Sequence, residues 1–447
     1  MVKRNGKMFS PVFLPVYFFA LAILAGAALL HSPPARAEQG VSWLDAFFTS
    51  VSATCVTGLA TVDTASAYTG FGQTVIAALI QIGGLGVMTY SSLIFYMLRR
   101  RVTLTDRIAV GQFLLNDPGF QLGRFLKRMV LVCLCIEGAG AFGLRLGSLG
   151  EMSWGGAFFH AVSAFCNAGF SLYSGSMTRY ADNLPVNIVL MTLIICGGLG
   201  FYVLVELPGF FAGLVRKGKA AVLSWQSMVV IQTSLYLILG GWVVFFLLEK
   251  SPDVWSGLLT ALFQSVSART AGFNTVDIGA MTDASLFVLI LLMLVGGSPG
   301  SCAGGIKTTT LRVLLAFGVS QVKGREQVVV RGCAMDSPTI SKAMTVLILA
   351  AVLILGSVFV LSMTEGADIS HQLVRGKFIE IFFEAVSAFG TVGLSTGLTP
   401  RLSDAGKIVI MALMFVGRLG PIVFLIILQS WQDRELFRRP ERSMLIG

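Results

Sequence analysis

The chain has 447 residues, of which 55% are hydrophobic and 13% charged, with a formal net charge of +10 at pH 7. Soluble domains carry about 25% charged residues, so this composition excludes an ordinary soluble protein, and its high apolar content excludes a disordered one. The seven cysteines form no Cys-x-x-Cys pair and there are three histidines, which disfavours a disulfide framework or a transition-metal site.

Eight apolar runs are long enough to cross a bilayer, which takes about 20 helical residues. They cover residues 11–30, 72–98, 126–147, 184–212, 225–249, 285–318, 340–363 and 404–430. Basic residues are concentrated before the first run and after every second run, whereas the other loops carry more acidic residues. Because cytoplasmic loops are rich in Lys and Arg, we predict a multi-pass protein with both termini in the cytoplasm. This topology explains the net charge without nucleic-acid binding.

The first run has features of a secretory signal. Lys3 and Arg4 precede it, and Ala35-Arg36-Ala37 after it resembles a cleavage site. The run is longer than the apolar part of a usual signal, and its removal would break the repeat described next. We therefore expect it to be a retained membrane span.

A short motif recurs after the first, third, fifth and seventh runs. Each copy contains Val-Ser-Ala and then a glycine five or six residues beyond the serine: Ser52 and Gly58, Ser163 and Gly169, Ser267 and Gly272, and Ser387 and Gly393. A second glycine cluster follows 24–28 residues later, at positions 83–86, 197–200, 296–300 and 417–420. A unit of span, short helix, glycine loop and span therefore occurs four times, over residues 1–110, 111–220, 221–335 and 336–447.

The segment before each glycine loop is too short to span the membrane. The first, from Ser42 to Thr54, has 13 residues and would be ~20 Å long as a helix, against a hydrocarbon core of ~30 Å. It must enter and leave by the same face, with its loop buried or lining a wet cavity. We therefore predict an all-α polytopic membrane protein of four M1–P-helix–M2 pseudo-repeats around a central pore, with eight transmembrane helices and four re-entrant pore helices.

The predicted loops have the chemistry of a cation selectivity filter. Four helix C-termini, each with partial negative charge, would point at one axis, and loop carbonyls can replace the water shell of a cation. The candidate ion-binding residues are Val56, Thr57, Gly58, Asn167, Ala168, Gly169, Thr270, Ala271, Gly272, Thr391, Val392 and Gly393. They include no ring of carboxylates, which argues against a divalent cation. For the second glycine layer, close helix packing is the open alternative.

Asp63 and Asp277 follow the first and third loops in matching Thr-Val-Asp contexts. Two interpretations are open for them. They attract cations electrostatically at the outer mouth, or they are ordinary solvated or helix-capping residues.

Arg418 breaks the fourfold pattern, because it stands where the other three clusters have glycine. A charge within a span is costly, so a functional role is the first hypothesis. We expect Arg418 near the axis, on the cytoplasmic side of the loops, as an electrostatic barrier that speeds ion release and limits flow. A structural ion pair with Glu137 or Glu384 is the alternative.

The second break lies in the sixth run, where residues 296–310 read Gly-Gly-Ser-Pro-Gly-Ser-Cys-Ala-Gly-Gly-Ile-Lys-Thr-Thr-Thr. This stretch is too rich in glycine and proline for an uninterrupted helix. We predict a broken helix with a mobile gating linker. Lys307 either holds one state of this gate or pairs with a carboxylate. The candidate gating residues are Gly296, Gly297, Ser298, Gly300, Gly304, Gly305, Lys307 and Arg418.

These motifs resemble the Trk/Ktr/HKT superfamily of potassium transporters, and most closely the membrane subunit of the Ktr system. The resemblance covers nearly the whole chain and is carried by the four motifs at 52–58, 163–170, 267–274 and 387–394 and by the stretch from Gly296. Trk-type members usually carry two extra N-terminal spans, and none precedes residue 11 here, which favours the Ktr branch. Cys302 stands where relatives often have threonine.

The resemblance implies potassium uptake across the inner (cytoplasmic) membrane, with K⁺ at the filter residues and no covalent cofactor. It implies one filter glycine per repeat, a gating loop in the third repeat and a filter-proximal arginine in the fourth. Dependence on Na⁺ stays open. The implied partners are a second copy of the chain in a homodimer, membrane lipid, and a cytosolic RCK-type nucleotide-binding ring (KtrA-like), which would carry the ATP or ADP.

Two other functions fit parts of the sequence. A proton- or sodium-coupled secondary transporter, such as a symporter, needs a titratable relay at the membrane midplane, and Glu137 is the best candidate. An intramembrane serine hydrolase would use Ser298, whose context fits Gly-x-Ser-x-Gly, but that motif belongs between a strand and a helix. Of the three histidines, only His160 lies in an apolar segment, within the second predicted short helix and near the outer face. We therefore expect a transporter and not an enzyme.

Overall fold

The computed structural model describes residues 14–37, 40–101, 122–215, 223–251, 253–366 and 376–420. The beginning of the first predicted span, the end of the eighth and the C-terminal tail lie outside these ranges. Over the described ranges the chain forms fifteen α-helices and one antiparallel hairpin, made of β1 (Val329–Val330) and β2 (Cys333–Ala334).

The helices fall into four groups of similar order. The first group is α1 (Leu14–His31), α2 (Trp43–Thr54), α3 (Thr64–Ala67) and α4 (Gly70–Arg101). The second is α5 (Leu122–Gly147), α6 (Trp154–Phe165), α7 (Leu184–Leu199) and α8 (Phe201–Val215). The third is α9 (Trp225–Leu248), α10 (Val254–Ser267), α11 (Asp283–Leu294) and α12 (Thr308–Val322). The fourth is α13 (Ser337–Gly366), α14 (Lys377–Gly390) and α15 (Asp404–Leu419).

Each group contains one short helix after its first long helix. These helices, α2, α6, α10 and α14, have 12, 12, 14 and 14 residues, or about 18–21 Å, which is less than a bilayer core. Three of them begin at a side-chain cap, in which Ser42, Ser153 or Asp253 accepts a backbone N–H three residues ahead. Local capping therefore fixes where these helices begin.

Three helices of the described ranges are long and apolar enough to cross a membrane: Lys127–Gly147, Trp225–Leu248 and Ser337–Glu365. A fourth span results if the bent pair α7 and α8 is counted as one. Shorter apolar helices, Val16–His31, Gly70–Gly86 and Asp283–Leu294, overlap the first, second and sixth predicted spans. The mostly helical fold is confirmed, and the count of eight spans stays a prediction.

The apolar run over 184–212 forms two helices rather than one. Helix α7 ends at Leu199, α8 begins at Phe201, and their axes differ by 109°. Gly200 between them has a φ of 87°, which a residue with a side chain rarely adopts. A Cβ at Gly200 would lie 2.7 Å from the carbonyl oxygen of Pro299, and Phe201 donates its N–H to Gly300 at 3.1 Å. The chain therefore turns where a segment of the third group meets it.

The first and third groups share a packing detail. In the first group, Ser50 of the short helix donates to the carbonyl of Ile23 at 2.7 Å. In the third, Ser265 donates to the carbonyl of Ile238, also at 2.7 Å. The glycine three residues further along, Gly26 or Gly241, leaves the space that the serine occupies, because an added Cβ would lie 2.5 Å from the serine oxygen in both. The serine side chain of each short helix thus packs directly on the backbone of the long helix.

We expect Gly241→Ala to lower stability by about 1–3 kcal/mol, because its Cβ would also lie 2.9 Å from Leu292. The measurement is the apparent melting temperature of the purified protein in detergent. Gly240→Ala is the matched control, since a Cβ there meets nothing within 4 Å. Equal melting temperatures for the two variants would contradict the close contact of α9 with α10.

Candidate functional site

Each short helix leads into a loop with the same backbone pattern. The residue two before the glycine is left-handed, with φ of 56° at Val56, 58° at Asn167, 66° at Thr270 and 50° at Thr391. The glycines have φ of 96°, 69°, 77° and 91° in chain order. Non-glycine residues seldom adopt positive φ, and such strained positions cluster at functional sites. We call these segments the glycine loops, residues 56–58, 167–169, 270–272 and 391–393.

The glycines of the four loops form a closed ring. A Cβ added to Gly58 would lie 3.1 Å from the Cα of Gly169, and one on Gly169 would lie 2.9 Å from the Cα of Gly272. One on Gly272 would lie 3.2 Å from Gly393, and one on Gly393 would lie 3.0 Å from Gly58. Each would also meet a carbonyl oxygen of the next loop, from Ala168, Ala271, Val392 or Thr57 respectively. Loops far apart in sequence therefore converge on one axis.

The recurring serine holds each loop to its short helix. Two of the serines accept the N–H of the loop glycine at 3.1 Å: Ser52 from Gly58 and Ser387 from Gly393. Three donate to the carbonyl just beyond the glycine: Ser163 to Phe170, Ser267 to Phe273 and Ser387 to Leu394. The Val-Ser-Ala motif therefore has a structural role in shaping the loop.

Buried oxygen atoms around the ring lack hydrogen-bond partners. Among the described residues, the hydroxyls of Thr54, Thr57 and Thr391 are buried and unpaired. Buried hydroxyls are normally bonded, so these three are available to a ligand. The glycine loops contain no carboxylate. Neutral carbonyl and hydroxyl oxygens of this kind can replace the water shell of a monovalent cation.

The second glycine layer packs against the ends of the short helices. A Cβ on Gly83, Gly197 or Gly417 would fall on the carbonyl oxygen of the same group's Thr54, Phe165 or Phe389. Close packing therefore accounts for these three clusters. In the third group, Gly296 packs instead against Gly304 and, at 3.3 Å for an added Cβ, the methyl of Thr270.

The third group differs because residues 295–307 connect α11 to α12 without helix. This segment, linker 295–307, folds back on itself through the N–H of Gly296 on the carbonyl of Ile306 at 2.9 Å. It docks on the second group through two N–H groups, from Ser298 to Gly198 at 3.0 Å and from Cys302 to Gly197 at 3.3 Å. It turns at Gly300 and Gly305, with φ of 72° and 62°.

Linker 295–307 lies against two of the glycine loops. A Cβ on Gly304 would meet the side chain of Thr391 and, at 3.0 Å, the carbonyl oxygen of Gly390. One on Gly297 would lie 2.8 Å from the carbonyl oxygen of Gly198. The structure therefore brings the candidate gating glycines together, next to the third and fourth loops.

Arg418 bonds to the backbone of two other groups. Its guanidinium is 3% exposed, donates to the carbonyl of Gly83 at 2.6 Å and also donates to the carbonyl of Cys302. Gly83 belongs to the first group and Cys302 to the third, and these groups lie opposite each other in the ring. Arg418 of the fourth group therefore joins the first group to the non-helical segment of the third.

Lys307 binds the neighbouring carbonyls of the same linker. Its Nζ donates to the carbonyl of Ala303 at 2.6 Å and to that of Gly304 at 3.5 Å. Arg418 also donates to the carbonyl of Cys302, so three successive carbonyls, at residues 302–304, accept hydrogen bonds from the two cationic side chains. The two charged candidates for gating are therefore part of one cluster.

The described contacts do not support an ion pair of Arg418 with either carboxylate. Glu137 accepts from the amide of Gln81 at 3.1 and 3.2 Å. Glu384 accepts from the hydroxyls of Ser395 at 2.5 Å and Thr399 at 2.7 Å. Both carboxylates are fully buried, but each has its own neutral donors.

Asp63 and Asp277 have the capping role that was one of their two interpretations. Asp63 accepts the N–H of Ala65 at 3.3 Å, and Asp277 accepts that of Gly279 at 3.0 Å. Asp63 also accepts from the hydroxyl of Ser174 at 2.7 Å, which joins the first two groups on that side of the protein.

The serine and histidine of the hydrolase alternative lie in separate hydrogen-bond networks. The hydroxyl of Ser298 is 3.1 Å from that of Thr308. His160 is 2.7 Å from the carbonyl of Gly156 and 3.2 Å from the hydroxyl of Ser171. A serine nucleophile needs a general base within hydrogen-bond reach, and His160 does not have that position relative to Ser298.

Arg269 was missed by sequence reasoning. It directly precedes the third glycine loop, is 7% exposed, and donates to the carbonyl of Gly296 at 3.4 Å. Arg269 is the second residue after the motif serine. At the same position, the other groups have Thr54, Phe165 and Phe389. A charge where three repeats have none was the signal that would have found it.

The fold and the ring define an integral membrane protein that moves ions. The family described as TrkH, cation transport protein, matches residues 16–434. The chain belongs to this family, and it is a transporter rather than an enzyme.

Three relatives are similar over nearly their whole length. The chain is 37% identical to Ktr system potassium uptake protein B of Bacillus subtilis (strain 168), covering 98% of this chain and 96% of that protein. It is 35% identical to the protein of the same name from Vibrio alginolyticus, covering 96% and 93%. It is 34% identical to potassium/sodium uptake protein NtpJ of Enterococcus hirae, covering 100% and 99%.

A solved structure has the same fold. The crystal structure of the potassium transporter TrkH from Vibrio parahaemolyticus superposes with a TM-score of 0.74, covering 96% of this chain and 88% of that one. Its sequence is 20% identical, so the likeness concerns the fold alone.

We expect Gly169→Ala to lower stability by about 1–3 kcal/mol, because its Cβ would meet backbone atoms of the third loop at 2.9 and 3.0 Å. The φ of 69° adds strain for any side chain. The apparent melting temperature is the measurement, and Gly155→Ala, whose Cβ meets nothing within 4 Å, is the control in the same group. A Gly169→Ala protein as stable as the control would show that the loops are not in contact.

Proposed function

We propose that this protein takes up potassium across the cytoplasmic membrane through the ring of glycine loops. The closed contact of Gly58, Gly169, Gly272 and Gly393 is the observation that carries the proposal, since it gathers neutral oxygen atoms around one axis. The ion-binding set is the candidate set of the sequence: residues 56–58, 167–169, 270–272 and 391–393. K⁺ is the cargo, held by carbonyls and by the unpaired threonine hydroxyls.

The relatives support the choice of ion. Two of them are described as potassium uptake proteins, and the third as a potassium/sodium uptake protein. Na⁺ is therefore the ion against which selectivity must be measured. Dependence of uptake on Na⁺ is a separate property that the same experiments resolve.

Linker 295–307 is the proposed gate, and Arg418 with Lys307 holds it in place. A guanidinium near the axis repels a cation leaving the ring, and this repulsion is strong where water is scarce. Arg418 binds the linker, so neither can leave the path alone. Hydrogen bonds to charged groups contribute about 1.5–3 kcal/mol each. Opening therefore needs an external source of free energy.

A regulatory partner is the proposed source of that free energy. The name Ktr system in two relatives supports a partner subunit. We place an RCK-type nucleotide-binding ring on the cytoplasmic side, with ATP or ADP on that ring, and a second copy of this chain beside the first. Both termini face the cytoplasm in this arrangement, as the basic residues indicate, and the four units keep the predicted bounds.

The test is cation uptake in a host that lacks its own potassium uptake, with and without a nucleotide-binding partner. We expect growth at low K⁺ and uptake of K⁺ and of ⁸⁶Rb⁺ in preference to Na⁺. Gly58→Ala should lower K⁺ uptake by at least about tenfold, because its Cβ would displace the Ala168 carbonyl.

Gly40→Ala is the control, since a Cβ at Gly40 meets nothing within 4 Å. Uptake that is equal for both variants would overturn the role of the ring. The purified chain in liposomes resolves the mechanism, because ⁸⁶Rb⁺ flux that stops without a proton or Na⁺ gradient would favour the coupled transporter.

We expect Arg418→Gln to raise ⁸⁶Rb⁺ flux into liposomes by about three- to tenfold, because it removes the positive charge from the axis. Glutamine retains an amide donor near the two carbonyls, so folding is preserved better than with alanine.

The control for this prediction is Arg401→Gln, which removes an exposed arginine of the same group. Wild-type flux in Arg418→Gln, with normal melting temperature and normal expression, would sink the barrier hypothesis. An increase in Arg401→Gln as well would assign the effect to overall charge.

A further inference from the structure

A cavity lies where α7, α9 and the end of α10 meet, outside the ring of glycine loops. It is small, with room for about one water-sized guest, and its lining includes Ile194, Gly198, Ser234, Ile238, Val266 and Arg269. Two of these residues are polar, and both are buried: Arg269 is 7% exposed and Ser234 is 4% exposed. The remaining lining is apolar.

Both polar residues of the cavity have an atom without a partner in the described structure. These atoms are Nε of Arg269 and Oγ of Ser234. The hydrogen bond of Arg269 to the Gly296 carbonyl is long, at 3.4 Å. A buried charge needs a counter-charge or full hydrogen bonding, and neither is present among the described neighbours.

The missing group must accept hydrogen bonds and carry negative charge. The Nε–H of Arg269 can only donate, and the hydroxyl of Ser234 can donate. A phosphate or carboxylate offers several oxygen atoms, and two donors in apolar surroundings would leave most of them unpaired. A small monovalent halide suits two donors and an apolar wall better, because its desolvation cost is smaller.

We propose that Arg269 and Ser234 form a buried binding site for a small monovalent anion, chloride in the cell. Arg269 directly precedes the third glycine loop, so its charge opposes a cation in the ring. A bound anion cancels that charge. Chloride is then a structural ligand that keeps the third side of the ring receptive to cations.

The direct test is binding to the full-length protein, with bromide as the probe. Crystals grown with bromide in place of chloride should show an anomalous peak in this cavity. The apparent melting temperature should rise with chloride at constant K⁺, relative to gluconate, because a ligand of the folded state stabilises it. Arg269→Gln should abolish this rise and Ser234→Ala should weaken it.

Thr233→Val is the matched control, because the hydroxyl of Thr233 bonds to its own helix at Val229, 2.8 Å away. It should retain the chloride effect. If Arg269→Gln fails to fold, the wild-type halide titration and Ser234→Ala still decide the matter. A cavity with water only, or a chloride effect that is equal in Ser234→Ala and wild type, would overturn the proposal.

The bromide peak and the chloride-dependent melting temperature do not depend on which ion the protein transports. A negative result for the anion site would therefore leave the proposed function untouched, and the reverse also holds. As a functional readout, ⁸⁶Rb⁺ uptake should fall by about threefold when gluconate replaces chloride. Arg269→Gln should make uptake independent of chloride, since it removes the charge that the anion cancels. Arg269→Lys should retain part of the dependence.

Discussion

The approach of four backbones at one ring, with no side chain between them, is the constraint on which this structure depends. The Cα atoms of Gly58, Gly169, Gly272 and Gly393 lie so close that any Cβ would fall on the next loop. Short helices deliver the loops to this point, the recurring serines fix their shape, and the second glycine layer lets the helices sit close to their partners. A ring built this way exposes main-chain oxygen atoms rather than side chains, and such oxygen atoms suit cations.

Arg418 and linker 295–307, which both depart from the fourfold repetition, bind each other. In a helix, the carbonyls of residues 302–304 would be used by N–H groups four residues ahead. Linker 295–307 has no helix, so these carbonyls can accept from Arg418 and Lys307. The glycines and the proline that prevent the helix therefore supply the acceptors that two buried cations require. A buried arginine at position 418 would be costly next to an intact helix, because its donors would be unpaired.

Sequence reasoning succeeded where the determinants are local or repeated. The short helices, the four glycines and the position of the broken helix follow from length, composition and repetition. The break at Gly200 did not, because the contacts at this turn come from Pro299 and Gly300 of another group. The partners of Arg418 were also missed, because the hypothesis considered carboxylates while the structure uses carbonyls. A comparison of the charges at equivalent positions of the four repeats would have identified Arg269.

The ring is fourfold in its glycines, but around them the third group differs from the other three. The third motif is one residue shorter between serine and glycine. Ser267 therefore donates to a carbonyl six residues ahead, at Phe273, whereas Ser163 and Ser387 donate to carbonyls seven residues ahead. The same group supplies linker 295–307 and the buried charge of Arg269. Repetition makes the ion site, since each side must present the same backbone to one ion. Control needs only one side to move, so the gating linker lies in the third group alone, and Arg418 of the fourth group binds to it without disturbing the oxygen ligands of the loops.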